Sequence, residues 1–143
     1  MRMNFVSALV AVMGILLSSG CASAPRRDLS RLQGTWDGKE LGGAEGACRI
    51  SISGDSIRFQ GARRREWYIG KLTLIPHTNP RQATILITEC GFPQYVNQTA
   101  KAIYKTDGKA LTLAGHEPGN SAVPTAFETS TNSQTRAFVF TRQ

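Results

Sequence analysis

Short runs in which apolar and polar residues alternate at every second position constrain this 143-residue chain more than any other feature. Ile50 and Ile52 alternate with Arg49, Ser51 and Ser53; Ile57 and Phe59 with Ser56, Arg58 and Gln60; Leu111 and Leu113 with Ala110, Thr112 and Ala114. Successive side chains of a strand point to opposite faces, so each run reads as a strand with one face on a core and the other in water. Turn chemistry separates the runs: Ser53-Gly54-Asp55-Ser56, Gly61-Ala62-Arg63, His77-Thr78-Asn79-Pro80 and Thr106-Asp107-Gly108-Lys109. Glycine tolerates the positive φ of tight turns and proline fixes its own φ. The pattern predicts strands at 35–41, 47–53, 56–61, 66–76, 82–89, 97–106, 110–115 and 135–142, with no long helical pattern anywhere after Cys21. Sequential hairpins of this kind give an all-β chain, a small antiparallel up-and-down β-barrel of about eight strands in one domain.

The N-terminus has a different grammar. Arg2 is the only charged residue before Cys21, residues 5–17 are almost wholly apolar, and Ser18-Ser19-Gly20 are small. This order is that of a secretory signal, and the apolar stretch falls short of the roughly 20 residues that span a bilayer. Leu17-Ser18-Ser19-Gly20-Cys21 resembles the bacterial lipobox, in which the cysteine thiol receives a diacylglycerol before cleavage. The commonest lipobox has Leu where Ser18 stands. A rival cleavage site at Ala22-Ser23-Ala24 would place Pro25 after the scissile bond, which usually blocks the ordinary peptidase. The expected organisation is a signal peptide at 1–20, a lipidated tether at 21–31 with one helical turn at 29–32, and the barrel at 32–143. The lipid on Cys21 is the expected membrane partner. Ala22 rather than Asp after the cysteine implies, by resemblance to enterobacterial sorting, the periplasmic face of the outer membrane.

Export bears on the other two cysteines. Cys48 and Cys90 form an even pair in an oxidising compartment, and a disulfide is the simplest expectation. Closing a loop of 42 residues would contribute on the order of 4 kcal/mol. Two unpaired buried thiols, or a redox or metal pair, are the alternatives; no C-x-x-C motif accompanies them.

Three segments together resemble a family of short exported bacterial domains of unknown function assigned a lipocalin-like barrel. They are Leu32-Gln33-Gly34-Thr35-Trp36; Asn79-Pro80-Arg81-Gln82-Ala83-Thr84-Ile85; and residues 102–113, which contain Ile103-Tyr104 and Asp107-Gly108, followed by Pro118-Gly119 and Pro124-Thr125-Ala126-Phe127. The resemblance implies a fold and a compartment; the family supplies no activity or catalytic residue to carry over. Gly34-x-Trp36 also resembles the G-x-W that opens the first lipocalin strand, where the indole closes the barrel floor beneath an arginine of the last strand. That resemblance implies Arg142, or failing it Arg136, over Trp36.

Sixteen Lys+Arg against ten Asp+Glu follow Cys21, a modest basic excess whose densest piece is Arg63-Arg64-Arg65. A solvated hairpin tip accounts for it, and neither a nucleic-acid motif nor the exported location favours nucleic acid. His77 and His116 sit in turn and loop contexts and are expected at the surface. No G-x-S-x-G, phosphate loop or H-E-x-x-H occurs, and Asp55, Asp107 and Glu128 are explained by turns and strands. The chain therefore reads as a non-enzyme without cofactor or metal, and as a monomer. Three functional classes remain: a barrel that holds a small apolar ligand, an envelope protein that binds a partner protein through loops at 91–95 or 115–124, and an anionic glycan or phosphate binder using Arg58, Arg63, Arg64 and Arg65. Large inward candidates, Phe59, Tyr104, Leu111, Leu113, Phe138 and Phe140, predict a filled interior, and a hollow below about 100 Å³ would exclude the first class.

Overall fold

A computed structural model describes residues 23–43, 46–132 and 134–143. The segment expected to be a signal peptide, and Cys21, lie outside the described residues. Eight antiparallel strands, β1 (Gly34–Glu40), β2 (Ala47–Ser53), β3 (Ser56–Gln60), β4 (Trp67–Ile75), β5 (Arg81–Cys90), β6 (Thr99–Thr106), β7 (Ala110–His116) and β8 (Thr135–Arg142), close in sequence order into a barrel. Closure is made by β1 on β8, with Trp36 opposite Arg142. Alternation in the sequence and register in the sheet agree: Ile50 pairs with Phe59 and Ile52 with Ile57, so both strands send these side chains inward. β6 starts two residues later than the pattern predicts, because Asn97 takes a positive φ of 67° after the short 3₁₀ turn Pro93–Tyr95.

Hairpins alternate between the two ends of the barrel. One end is a floor, closed by a helix that the sequence pattern underestimates. Instead of a tether with a single turn at 29–32, α1 runs over Ala24–Leu32 with a proline in its first turn, where fixed φ suits helix entry. Asp28 and Leu32, four residues apart, fall on one side of α1 and are buried. Asp28 accepts a hydrogen bond from Tyr104 Oη at 2.6 Å and an ion pair from Arg81 at 3.2 Å. Burial and that hydrogen bond raise the Tyr104 pKa, so its hydroxyl stays a donor.

The floor itself is the arrangement implied by Gly34-x-Trp36. Trp36 is fully buried, its indole N–H donates to Leu32 O at 3.0 Å, and the Arg142 guanidinium lies 4.1 Å from its ring. Arg142 also donates to the carbonyls of Arg31 and Gln33. Gly34 has φ +110°, a conformation that strains any side chain, and a Cβ there would stand 3.2 Å from the Arg142 guanidinium, which would have to give by a few tenths of an ångström. Arg136, the alternative partner of Trp36, lies at the opposite end of β8.

At the other end, the mouth, the long β7–β8 connection folds back over the outside of the barrel. Val123 and Phe127 of this connection, with Leu41, cover Ile103, Ala114 and Ala137. His116, expected at the surface, is buried under the same connection, bonded to Ala122 O and Thr135 Oγ1 at 2.9 Å each; His77 is exposed as expected.

Replacing Trp36 with Ala removes the centre of the floor. Loss of a buried aromatic of this size costs about 3–5 kcal/mol and should lower the melting temperature by about 10 °C or more. A melting temperature within about a degree of wild type would show that Trp36 does not hold the floor.

Candidate functional site

Above the floor the barrel is hollow. Trp36, Tyr104, Leu111 and Phe140 fill its lower half, but a cavity of about 630 Å³ occupies the upper half and opens at the mouth. This corrects the expectation of a filled interior. The large residues named from the sequence do point inward, yet the inner wall also contains Gly70, Ala100, Ala102 and Gly115. These come from β4, β6 and β7, and register sets Ala102 opposite Gly115. A Cβ on Gly115 would meet nothing closer than 3.9 Å, so the hollow is made by missing side-chain volume. Its remaining walls are apolar: Ile50, Ile57, Phe59, Ile85, Ile87, Leu113 and Phe138.

The rim is polar and organised around Arg136. Its Nε and Nη2 donate to the two carboxylate oxygens of Glu40 at 3.0 and 2.9 Å, a bidentate pairing, and its Nη1 donates to Glu66. Both carboxylates have side chains only 7% exposed. The Arg136 bonds hold the Glu40 carboxyl below the ordinary glutamate range, and the two acids raise the Arg136 pKa. Across the rim Tyr95 Oη donates to Glu117, which ties the 3₁₀ turn to the β7–β8 connection. A chain of aromatic rings leads inward from there: Tyr95 to Tyr68 at 6.5 Å, Tyr68 to Phe59 at 6.2 Å, and Phe59 to Phe138 at 5.1 Å. Burial, then the Glu66 charge, pushes Tyr68 up to about 12, so its phenol is a neutral hydrogen-bonding group within the cavity.

The expected Cys48–Cys90 disulfide is not formed; both residues are free thiols. Cys48 is on β2 and Cys90 on β5, three strand steps apart, or about 14 Å along the curved wall, well beyond the roughly 7 Å that a disulfide bridges. Burial, with Glu66 nearby, raises the Cys48 thiol to about 11, so it is protonated and inert at neutral pH. Cys90 Sγ donates to Phe92 O at 2.8 Å.

The four arginines considered for anion binding do not converge. Arg58 is exposed on the outer face of β3, whereas Arg63–Arg65 belong to the β3–β4 turn at the mouth, with Arg65 5.7 Å from the Phe92 ring. Loop-mediated docking finds little apolar surface either: Phe92 and Tyr95 are half-buried, and among the described residues Leu86 is the only exposed large hydrophobic side chain. Glu40, Glu66, Tyr68 and the small-residue wall are not singled out by the sequence, since each looks ordinary in its own strand.

Comparison with known protein families, with curated proteins and with solved structures gives no match in any of the three.

Because Glu40 titrates below its ordinary range when folded, it contributes stability above about pH 4.3 that is lost as the pH falls through the lowered value. Between about pH 5 and pH 3 the melting temperature of wild type should therefore fall more steeply than that of Glu40→Gln. At neutral pH the variant should be less stable by about 1–3 kcal/mol, a range discounted for partial solvent screening of Arg136. Parallel curves would remove Glu40 from the rim's acid sensitivity.

Proposed function

We propose that this chain is a lipid-anchored, non-catalytic binding protein of the bacterial envelope, whose barrel holds one small apolar or amphiphilic molecule. The observation that carries this reading is the open cavity of about 630 Å³ with apolar walls and a polar rim, within the usual range of about 300–1,000 Å³ for ligand sites. A filled barrel of the same fold would serve only as a scaffold; here Gly115 and the alanines of β6 leave room for a guest. The aliphatic part of that guest lies between Ile57, Ile85 and Leu113, and its polar end meets Tyr68, Tyr95 and the Glu40–Arg136 pair. Lipidation at Cys21, the outer-membrane location and the monomeric state belong to the same reading, supported by the lipobox-like sequence before Cys21 and by the resemblance to exported lipocalin-like domains.

The test is fluorescence of N-phenyl-1-naphthylamine, a neutral apolar probe, with the chain from Ala22 onward, which contains every described element. Wild type should bind it saturably, one per chain, with a blue-shifted emission that long-chain alcohols reverse. Gly115→Leu fills the hollow and should weaken the probe by about tenfold or more while keeping the far-ultraviolet signature of the barrel; Ala100→Leu provides a second filling variant. Absence of saturable binding to wild type, or equal binding to both folded variants, would overturn the cavity as a ligand site.

A further inference from the structure

The two ends of the barrel are not equivalent with respect to the membrane. Two residues, Ala22 and Ser23, separate Cys21 from the first residue of α1, and three Cα steps reach at most about 11 Å. α1 closes the floor, so an anchor at Cys21 holds the floor, and not the mouth, against the bilayer. The side of α1 turned away from the barrel carries Arg26, Arg27 and Arg31, all exposed; no acid pairs with their side chains among the described residues. The acids nearest this end are otherwise engaged: Asp28 is buried with Arg81 and Tyr104, Asp55 pairs with Lys71, and Asp107 accepts from the backbone of its own turn. The other basic cluster, Arg63–Arg65, stands at the mouth, about 20 Å away along the barrel.

We propose that the arginine face of α1 is a docking surface for anionic lipid headgroups of the membrane that holds the anchor, and that it fixes the barrel floor-down with its mouth directed away from the bilayer. The inference rests on the lipidation proposed above. Given that anchor, tether length and charge both support it: the arginines are confined to about one Debye length of the surface, where attraction by anionic lipid is effective. An acyl anchor with an adjacent basic surface is also the two-signal arrangement that gives stable membrane attachment. In this orientation the cavity exchanges its guest with the aqueous compartment or with an opposing surface.

Arginine footprinting tests it on the full-length processed protein. After its intact mass is measured, the protein is inserted into vesicles of phosphatidylcholine alone or with roughly 30% phosphatidylglycerol, treated with phenylglyoxal, digested and read by mass spectrometry. Arg26 and Arg27 should react about threefold more slowly in the anionic vesicles, the difference should vanish near 0.5 M salt, and Arg64 should react equally in both. With an acylated mass, equal reactivity of Arg26 and Arg27 in both vesicles, or protection of Arg64 instead, overturns the docking surface and leaves the anchor standing. A mass without acyl chains overturns the anchor, and the docking surface with it.

Discussion

The contact of Arg142 with Trp36 is the point from which the rest of the barrel is organised. One guanidinium lies 4.1 Å from the indole ring on β1, is carried by the last strand, and donates to the Arg31 and Gln33 carbonyls where α1 passes into β1. A single side chain thus joins the first strand, the last strand and the helix, which are the three parts that a closed barrel with a plugged end must bring together. The cation–π contact alone is worth about 0.5–2 kcal/mol; its larger effect is geometric, because it defines which end of the barrel is sealed.

With that end sealed by Trp36, Tyr104, Leu111 and Phe140, the cavity is confined to the opposite half. There the interior is kept open by small residues and held in shape by a charged rim. Glu40, Glu66 and Arg136 are a poor source of net stability, since desolvation offsets most of their attraction. Their value is positional: Arg136 on β8 bonds Glu40 on β1 and Glu66 beside the β3–β4 turn, which fixes three strand connections around the opening. Tyr95 bonds Glu117 and so ties the remaining β5–β6 connection to the β7–β8 one. The bottom is rigid by packing and the top by hydrogen bonding, with the apolar walls between them available to a guest.

Strands such as β2, β3 and β7 were legible in the sequence because apolar and polar residues alternate in them and turn residues separate the runs, and Gly34, Trp36 and Arg142 were legible because a resemblance named their arrangement. The helix was not, because Pro25-Arg26-Arg27-Asp28 is polar and its meaning lies in Asp28, whose partners Arg81 and Tyr104 are 53 and 76 residues away. The hollow was hidden for a related reason. Gly70, Ala100, Ala102 and Gly115 are unremarkable in their own strands, and only register places them on one wall. Large inward residues are counted easily from a sequence; missing volume is not. Cys48 and Cys90 misled in the opposite direction, since compartment and parity suggested a bond between residues that the strand order holds apart, and His116 looked exposed because nothing local shows that the connection around Ala122 folds back over it.

The central claim, a sealed floor below an open apolar chamber, is tested most directly by methyl NMR during titration with 1-dodecanol. A guest in the chamber shifts the methyl signals of Ile57, Ile85 and Leu113 saturably and leaves those of Leu29 and Leu32 at the floor unmoved. Shifts confined to Leu86 on the outer surface, or spread over the floor residues, would contradict it.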